Sequence, residues 1–336
     1  MCLLGFGNVN RALAHLLGER AGELRQKFGI DYRITGIASR KLGWVADLNG
    51  MHPSTLLGND GAGFATSLAC QTVRDWLQAC QADVLFEGTS LNVHDGQPAI
   101  DHIRAALEHG AHAVTANKGP VVFAYDELRM LAARQGRRFL FESAVMDGVP
   151  VFSLFRENLP VIHLRGFHGI LNSTTNVILS GMEEGLSFDA SLAAAQQLGV
   201  AETDPSFDID GWDAAVKVAA LAIVLMGAHL KPAEIRRHGI REITAAEMKK
   251  ARESGKCYKL VCRARRTADA VEASVGPELL PIDSPMAQVS GTSSIIHFQT
   301  DIFPGLTITE HDPGLFATAY GMLADFVRAV HEPISQ

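Results

Sequence analysis

Met1-Cys2-Leu3-Leu4-Gly5-Phe6-Gly7-Asn8-Val9-Asn10 opens the chain with an apolar run, a Gly-Phe-Gly turn and the start of a helical pattern. Apolar residues then recur near a period of 3.6 residues as far as Phe28, which indicates an amphipathic helix. In this context Gly5 permits a tight turn, Gly7 lets the backbone approach a pyrophosphate, and the helix N-terminus offers amide donors. The loop therefore predicts a dinucleotide site that includes Asn8 and Val9, with an ordinary tight turn as the alternative.

Strands and helices alternate from this loop to about residue 150. Strands are predicted at residues 32–38, 83–88, 113–115 and 139–142, with helical segments between them. Short connections between alternating strands and helices imply a parallel sheet covered by helices. After Pro150, helices alternate with shorter strands of antiparallel character. The sequence therefore predicts an α/β fold, with a doubly wound Rossmann-type parallel sheet followed by an α+β substrate and dimerisation domain.

The change of rhythm also predicts the domain boundaries. We expect a dinucleotide-binding domain at residues 1–145 and a substrate-binding and dimerisation domain at residues 146–314. A last helix, at residues 315–336, is expected to return to the first domain.

The composition narrows the class of protein. The 336 residues are 47% hydrophobic and 20% charged, with a net charge of −7, so no basic excess attracts nucleic acid. The longest apolar runs, such as residues 219–226, fall far short of the ~20 residues that cross a bilayer, so no membrane partner is expected. No signal peptide is evident. Five cysteines without a CxxC pair indicate reduced thiols and a cytoplasmic protein.

The end of the second predicted strand bears on cofactor choice. A dehydrogenase specific for NAD usually carries Asp or Glu there to bind the ribose hydroxyls. This chain carries Ser39-Arg40-Lys41, a hydroxyl and two cations that suit a 2′-phosphate. We therefore predict NADP in preference to NAD, the alternative being that Arg40 and Lys41 are solvated loop charges. Other residues assigned to the cofactor site are Thr89, Ser90, Lys118 and Gly314.

Two lysines are candidates for the chemistry. Lys118 lies in Thr115-Ala116-Asn117-Lys118-Gly119-Pro120, at the carboxyl end of a predicted strand, where doubly wound sheets bind ligands. Lys217 lies one helical turn after Asp213, on a helix that is otherwise almost wholly apolar. A poorly solvated lysine beside a carboxylate predicts a functional site; solvated surface lysines and a surface ion pair are the alternatives.

Three motifs, taken together, resemble homoserine dehydrogenases: the Lys118 loop, residues 169–176, and residues 201–205 followed by residues 210–217. The order and spacing match over roughly residues 3–227 and more loosely beyond. The resemblance implies a nicotinamide-dependent interconversion of L-homoserine and L-aspartate 4-semialdehyde, in threonine and methionine biosynthesis. It also implies a homodimer, and a short form without a C-terminal regulatory domain is expected.

The resemblance assigns roles to individual residues. Hydride delivery to an aldehyde builds negative charge on oxygen, so a cation or proton donor is needed there. Lys217 is the first choice for this role and Lys118 the second, while Asp213 holds Lys217 or binds the substrate amino group. Glu202 and Asp208 are expected to bind the same ammonium. Asn172 and Thr174 would orient the substrate, although helix capping also accounts for such residues.

The chain departs from the family at three places. Asn10 replaces the third glycine of the phosphate loop. The stretch after Glu142 has Met146 and Asp147 where the family is glycine-rich and binds a monovalent cation; Glu142 and the carbonyls of Val145, Asp147 and Val149 remain candidate ligands for sodium or potassium. Near the C-terminus, Glu310-His311-Asp312-Pro313-Gly314 replaces a glycine-rich stretch, which places acidic residues where a pyrophosphate is expected.

Two other functions are alternatives. An aldehyde dehydrogenase acting through a thioester needs an activated cysteine near the second domain, and none lies between Cys80 and Cys257. A degenerate homologue that binds a dinucleotide as a sensor is favoured by Asn10 and the acidic stretch at 310–312. The retained lysines and carboxylates favour the enzyme.

Overall fold

The computed structural model describes residues 1–58 and 69–331. Its elements, in chain order, are β1 (Cys2–Leu4), α1 (Asn8–Phe28), β2 (Ile34–Ser39), β3 (Gly43–Met51), α2 (Pro53–Gly58), α3 (Val73–Cys80), β4 (Val84–Glu87), α4 (Ala99–His109), β5 (His112–Thr115), α5 (Lys118–Arg134), β6 (Phe139–Leu140), α6 (Val151–Ser153), β7 (Leu164–Ile170), α7 (Ser173–Glu183), α8 (Phe188–Gln197), α9 (Ser206–Ile209), α10 (Trp212–Met226), β8 (Arg236–Arg237), α11 (Ala245–Glu253), β9 (Lys256–Arg266), β10 (Val271–Pro281), β11 (Ser294–Thr300), β12 (Leu306–Glu310) and α12 (Leu315–His331).

The chain forms two compact units. One consists of Met1–Val151 together with Gly314–Gln336, and the other of Phe152–Pro313. The predicted C-terminal helix corresponds to α12, and its expected last residues, 332–336, lie outside the described residues. None of the helices described is long and apolar enough to cross a membrane.

The described part of the first unit contains a six-stranded sheet in the order β3-β2-β1-β4-β5-β6. All neighbouring strands are parallel except β2 and β3. Because the chain runs outward from β1 in both directions, the carboxyl ends of β1 and β4 border the crevice where doubly wound folds bind their ligands. The predicted Rossmann-type architecture is confirmed.

The core of the first unit explains why α12 belongs to it. Leu13 and Leu17 of α1 are fully buried in one cluster with Met322 and Phe326 of α12 and with Leu3 of β1. Two amphipathic helices thus cover the same side of the sheet with their apolar faces.

The second unit is α+β, as predicted. Its described sheet has the order β12-β11-β7-β9-β10-β8, antiparallel except for the short pair β8 and β10. Helix α10 packs against this sheet, and most of its residues are buried, which accounts for its almost uniformly apolar sequence.

Strand β3 is the main element that the sequence did not predict. Its residues include Ala46, Asp47, Asn49 and Gly50, which are types depleted in strands. A turn in which the Leu42 amide donates to the Ser39 hydroxyl, at 3.2 Å, returns the chain beside β2. Pairing with β2 therefore decides the conformation of this segment, against its weak local preference.

Candidate active site and cofactor cavity

A buried polar cluster lies at the start of α10 in the second unit. The Lys217 ammonium is 3.2 Å from the Asp213 carboxylate, and these side chains are 18% and 13% exposed. The Lys217 ammonium also donates to the Leu171 carbonyl at 2.6 Å. The predicted i,i+4 pair is therefore present, and it is largely removed from water rather than being a solvated surface pair.

Asn172 joins this pair to a second carboxylate. Its side-chain amide donates to Asp208 at 2.7 Å and to Asp213 at 3.0 Å. Its side-chain oxygen accepts from the Thr175 amide and so caps α7. Helix capping and a place in the site are thus both true of Asn172, because the two ends of its amide serve different partners.

Thr174 completes the group by donating from its hydroxyl to Asp208 at 2.9 Å. The structure thus brings together five of the predicted residues, namely Asn172, Thr174, Asp208, Asp213 and Lys217. Glu202 is exposed, and its described contact is made by its backbone carbonyl, which accepts from Gln196. The substrate-binding role of the Glu202 side chain stays a prediction.

The charges of this group are unequal. Asp208 and Asp213 contribute two carboxylates against the single ammonium of Lys217. Burial raises the pKa of Asp208, and the neighbouring charge of Asp213 raises it further, while hydrogen bonds from Asn172 and Thr174 and the charge of Lys217 oppose the shift. A second cation would therefore be favoured beside Asp208.

A cavity of about 850 Å³ lies at the carboxyl ends of the strands in the first unit. Six predicted cofactor residues are among its lining residues: Gly5, Gly7, Ser39, Arg40, Thr89 and Ser90. Asn8 and Val9 form the first two positions of α1, directly after the loop. The amino end of α1 thus meets the same loop that lines the cavity, as a dinucleotide site requires.

Glycine is required at positions 5 and 7 of the loop for different physical reasons. Gly5 has φ +77°, and a Cβ there would lie 2.6 Å from the carbonyl carbon of Gly88, so the fold itself excludes a side chain. At Gly7 a Cβ would meet its nearest neighbour, the Gly5 carbonyl oxygen, only at 3.9 Å. Gly7 therefore leaves open space in the cavity that a phosphate can approach.

Asn10 stands where the third glycine is usual, and it is fully buried. Its amide donates to the carbonyls of Leu4 at 2.9 Å and Gly5 at 3.1 Å. Asn10 therefore links α1 to the end of β1 and to the loop. This structural role accounts for Asn10 and does not require loss of the cofactor.

Asn117 and Lys118 follow β5 at the same edge of the sheet. The Asn117 side chain caps α5 by accepting from the Gly119 amide, and its amide nitrogen donates to the Thr89 carbonyl at 3.1 Å. Lys118 is the first residue of α5.

Sequence analysis missed two residues in this region. His102 of α4 lines the cavity, and the fully buried Glu87 ends β4 directly before Gly88, which lines it. The position of Glu87 as the last residue before a loop, at the carboxyl end of a strand, was a signal that could have revealed it.

The predicted cation loop follows β6. Glu142 is buried, and its carboxylate lies 3.5 Å from the Arg328 guanidinium. Met146 and Asp147 both have positive φ, 52° and 50°, which is strained for residues other than glycine. The Val149 carbonyl accepts from the Val151 amide at 2.8 Å.

The acidic residues near the C-terminus belong to the second unit. Glu310 ends β12 and accepts from the Ser294 hydroxyl at 3.3 Å, and Asp312 accepts from Ser293 at the same distance. Gly314 is the first residue of the returning segment and is exposed.

The chain matches two family models that together cover nearly all of it. The model described as homoserine dehydrogenase, NAD binding domain, matches residues 5–142, and the model described as homoserine dehydrogenase matches residues 150–327. The boundary between the two matches falls close to the limit between the two structural units.

Curated relatives and solved structures agree. An NAD(+)-dependent homoserine dehydrogenase of Pseudomonas canavaninivorans is 36% identical over 99% of this chain and 96% of the relative. A crystal structure of a homoserine dehydrogenase from Thiobacillus denitrificans has a TM-score of 0.82 at 29% identity, covering 98% of this chain and 72% of that chain. A hyperthermophilic archaeal homoserine dehydrogenase mutant in complex with NADPH has a TM-score of 0.82 at 27% identity, covering both chains fully. The chain therefore belongs to the homoserine dehydrogenase family.

Proposed function

We propose that this protein interconverts L-homoserine and L-aspartate 4-semialdehyde with a nicotinamide dinucleotide, in the biosynthesis of threonine and methionine. The observation that carries the proposal is the buried group of Lys217, Asp213, Asp208, Asn172 and Thr174 in a chain of the homoserine dehydrogenase family.

The excess carboxylate of this group suits an amino-acid substrate. Lys217 balances one of the two charges of Asp208 and Asp213, so the ammonium of homoserine would balance the other. Because burial strengthens this attraction, the ammonium would be held firmly beside Asp208. Thr174 and Asn172 hold the Asp208 carboxylate in place for that contact. The Glu202 carboxylate is proposed to bind the same substrate ammonium.

Lys217 is proposed as the catalytic cation. Asp213 and the Leu171 carbonyl fix the position of its ammonium, which can then stabilise negative charge on the substrate oxygen and move a proton to or from it, directly or through water. The bound nicotinamide supplies or accepts the hydride. Lys118 is proposed as a second donor, at the cofactor.

The cavity of the first unit fits the dinucleotide. The backbone of Gly5 and Gly7 and the first residues of α1, Asn8 and Val9, would hold the pyrophosphate. Thr89, Ser90, Lys118 and Gly314 are assigned to the rest of the cofactor. Ser39 and Arg40 line the cavity at the end of β2, so we propose a preference for the 2′-phosphate of NADP over NAD.

We also propose a sodium or potassium ion bound by Glu142 and the carbonyls of Val145, Asp147 and Val149. The strained backbone at Met146 and Asp147 supports a specialised loop. Such an ion would share the Glu142 carboxylate with Arg328, which weakens its attraction. Activity and thermal stability in sodium, potassium or tetramethylammonium chloride test this, with Glu142→Gln expected to remove any difference.

A cytoplasmic homodimer is proposed in addition. Free cysteines at positions 2, 70, 80, 257 and 262 suit a reducing compartment, and the antiparallel sheet of the second unit ends in strands that a second copy can extend. Light scattering after size exclusion should give twice the chain mass.

The function is tested by oxidation of L-homoserine with NADP+ and, separately, NAD+. We expect turnover with both and a higher kcat/KM with NADP+. No turnover with either cofactor, at several pH values and with sodium or potassium present, would favour the dinucleotide-binding sensor.

A further inference from the structure

We infer that His102 binds the dinucleotide in the first unit, and that Glu87 positions it. This rests on the assignment of the cavity to the dinucleotide made above. It concerns a buried carboxylate and a histidine that the proposed reaction does not use.

The buried carboxylate of Glu87 is the basis of this inference. It ends β4, is paired with Leu4 of β1 and Thr115 of β5, and is fully buried. Its carboxylate accepts from the Thr89 amide at 3.0 Å, from the Thr89 hydroxyl and from the Thr115 hydroxyl at 2.8 Å. These donors are neutral, so they orient the carboxylate without balancing its charge.

A buried negative charge at this position is unfavourable for a dinucleotide. Leu4, its neighbour in the sheet, directly precedes the phosphate loop, and Gly88 and Thr89, which follow Glu87, line the same cavity. A pyrophosphate bound at the loop would therefore experience repulsion from Glu87 unless a cation lies between or beside them.

His102 is an ionisable side chain that faces Glu87 and can carry a positive charge. Its Nδ1 atom lies 3.7 Å from the Glu87 carboxylate, and its side chain is 14% exposed. This distance is too long for a hydrogen bond but suits an ion pair, and the Nδ1 atom is buried without a hydrogen-bond partner in the described residues. A protonated imidazole would balance the charge of Glu87.

The geometry gives the second ring nitrogen a separate task. Nδ1 is the ring nitrogen that lies near Glu87, and Nε2, on the other side of Cε1, points in a different direction and can serve a different partner. His102 is among the residues lining the cavity, with Gly7, Thr89 and Ser90. The structure thus assigns Nε2–H as a donor to an oxygen of the pyrophosphate of the bound dinucleotide.

The test compares His102→Gln with His109→Gln. His109 lies in the last turn of the same helix and is not among the residues that line the cavity, so it is a matched control. We expect His102→Gln to raise the Kd of both NADPH and NADH about tenfold, as nicotinamide fluorescence would report, because a charge-assisted hydrogen bond is lost. The KM for homoserine and the kcat at saturating cofactor should stay within about twofold of wild type, and His109→Gln should change neither cofactor Kd.

Two outcomes would overturn the inference. The first is an unchanged cofactor Kd in a folded His102→Gln protein. The second is a His102→Gln protein with lower thermal stability and a higher KM for homoserine, because both changes together indicate a structural role. Adenosine 2′-phosphate, which lacks the pyrophosphate, should bind wild type and His102→Gln equally. Gly7→Ala separates the two hypotheses. If it weakens NADPH binding while His102→Gln does not, only the His102 assignment fails; if neither variant weakens it, the cavity is not the dinucleotide site.

Discussion

The proposed substrate cluster of the second unit and the proposed cofactor cavity of the first unit are built in different ways. Side chains make the cluster: Asp208, Asp213 and Lys217 are held by one another and by neutral donors. Backbone makes much of the cavity, where Gly5 permits the turn, Gly7 leaves room for a phosphate and a helix end supplies amides. Charged side chains therefore decide recognition in the cluster, whereas the shape of the backbone positions the phosphate in the cavity, and substitutions should separate the two effects.

The largest expected effect is at the centre of the cluster. Lys217→Met should lower kcat for homoserine oxidation by about 10²–10³-fold, because a donor that stabilises charge on the substrate oxygen is lost. The Kd for NADPH should stay unchanged. Lys249→Met is the control, since Lys249 forms an exposed i,i+4 pair with Glu253. A Lys217→Met enzyme that is folded and fully active would refute the proposed role.

Asp208→Asn should separate binding from stability. The KM for homoserine should rise about 10–100-fold, as the substrate ammonium loses a charged partner. Because the pKa of Asp208 is raised on folding, the folded protein binds this proton more tightly than the unfolded chain. Wild type therefore loses stability as the pH rises from the ordinary Asp pKa of about 3.9 through the raised pKa of Asp208. The Asp208→Asn variant, which carries no ionisable group there, should unfold at a higher temperature than wild type at pH 7.

Thermal unfolding at several pH values checks the second half of this prediction. The stability advantage of Asp208→Asn should shrink as pH falls, because wild-type Asp208 then takes up its proton. An Asp208→Asn protein that is less stable than wild type at pH 7 would contradict the assigned direction of the pKa shift.

The two glycines of the loop should respond differently to the same substitution. Gly5→Ala should lower the free energy of unfolding by about 1–3 kcal/mol, because Gly5 has a positive φ and its new Cβ would collide with the backbone of Gly88. Gly7→Ala should leave thermal stability nearly unchanged and raise the Kd for NADPH about tenfold, by placing a methyl group where the phosphate approaches. Equal effects of both substitutions on stability would remove the distinction between structural and ligand-bound glycine.

The smallest expected effect is at the cavity rim. Arg40→Gln should raise the Kd for NADPH severalfold and leave that for NADH unchanged, because an exposed cation is screened by solvent. Lys27→Gln, at the distant end of α1, is a control for loss of a surface charge. Equal binding of NADPH to wild type and Arg40→Gln would make Arg40 a solvated loop charge.

Sequence reasoning recovered the first sheet because its signals are local. The apolar run, the glycine turn and the helical period all lie within residues 1–28 and obey general rules of chain geometry. It missed β3 because pairing with β2 overrides the weak strand preference of that segment. Strand propensity depends on the residues of one segment alone, whereas the formation of β3 depends on its pairing with β2.

The candidate active site was predictable only in part for a related reason. The i,i+4 pair of Asp213 and Lys217 follows from helix geometry. The contacts from Asn172 to Asp208 and Asp213 join residues 36 and 41 positions apart, and no periodicity indicates them. Family resemblance supplied those residues, and neither it nor periodicity indicated the pair of Glu87 and His102.

The position of α12 has a consequence for synthesis on the ribosome. The apolar face of α1, with Leu13 and Leu17, is covered by Met322 and Phe326, which are translated some 300 residues later. At about 5–20 residues per second, that surface stays uncovered for roughly 15–60 s while the second unit emerges. The first unit to be made is thus the last to be completed, and the nascent chain should be a client of chaperones that recognise exposed leucine-rich helices.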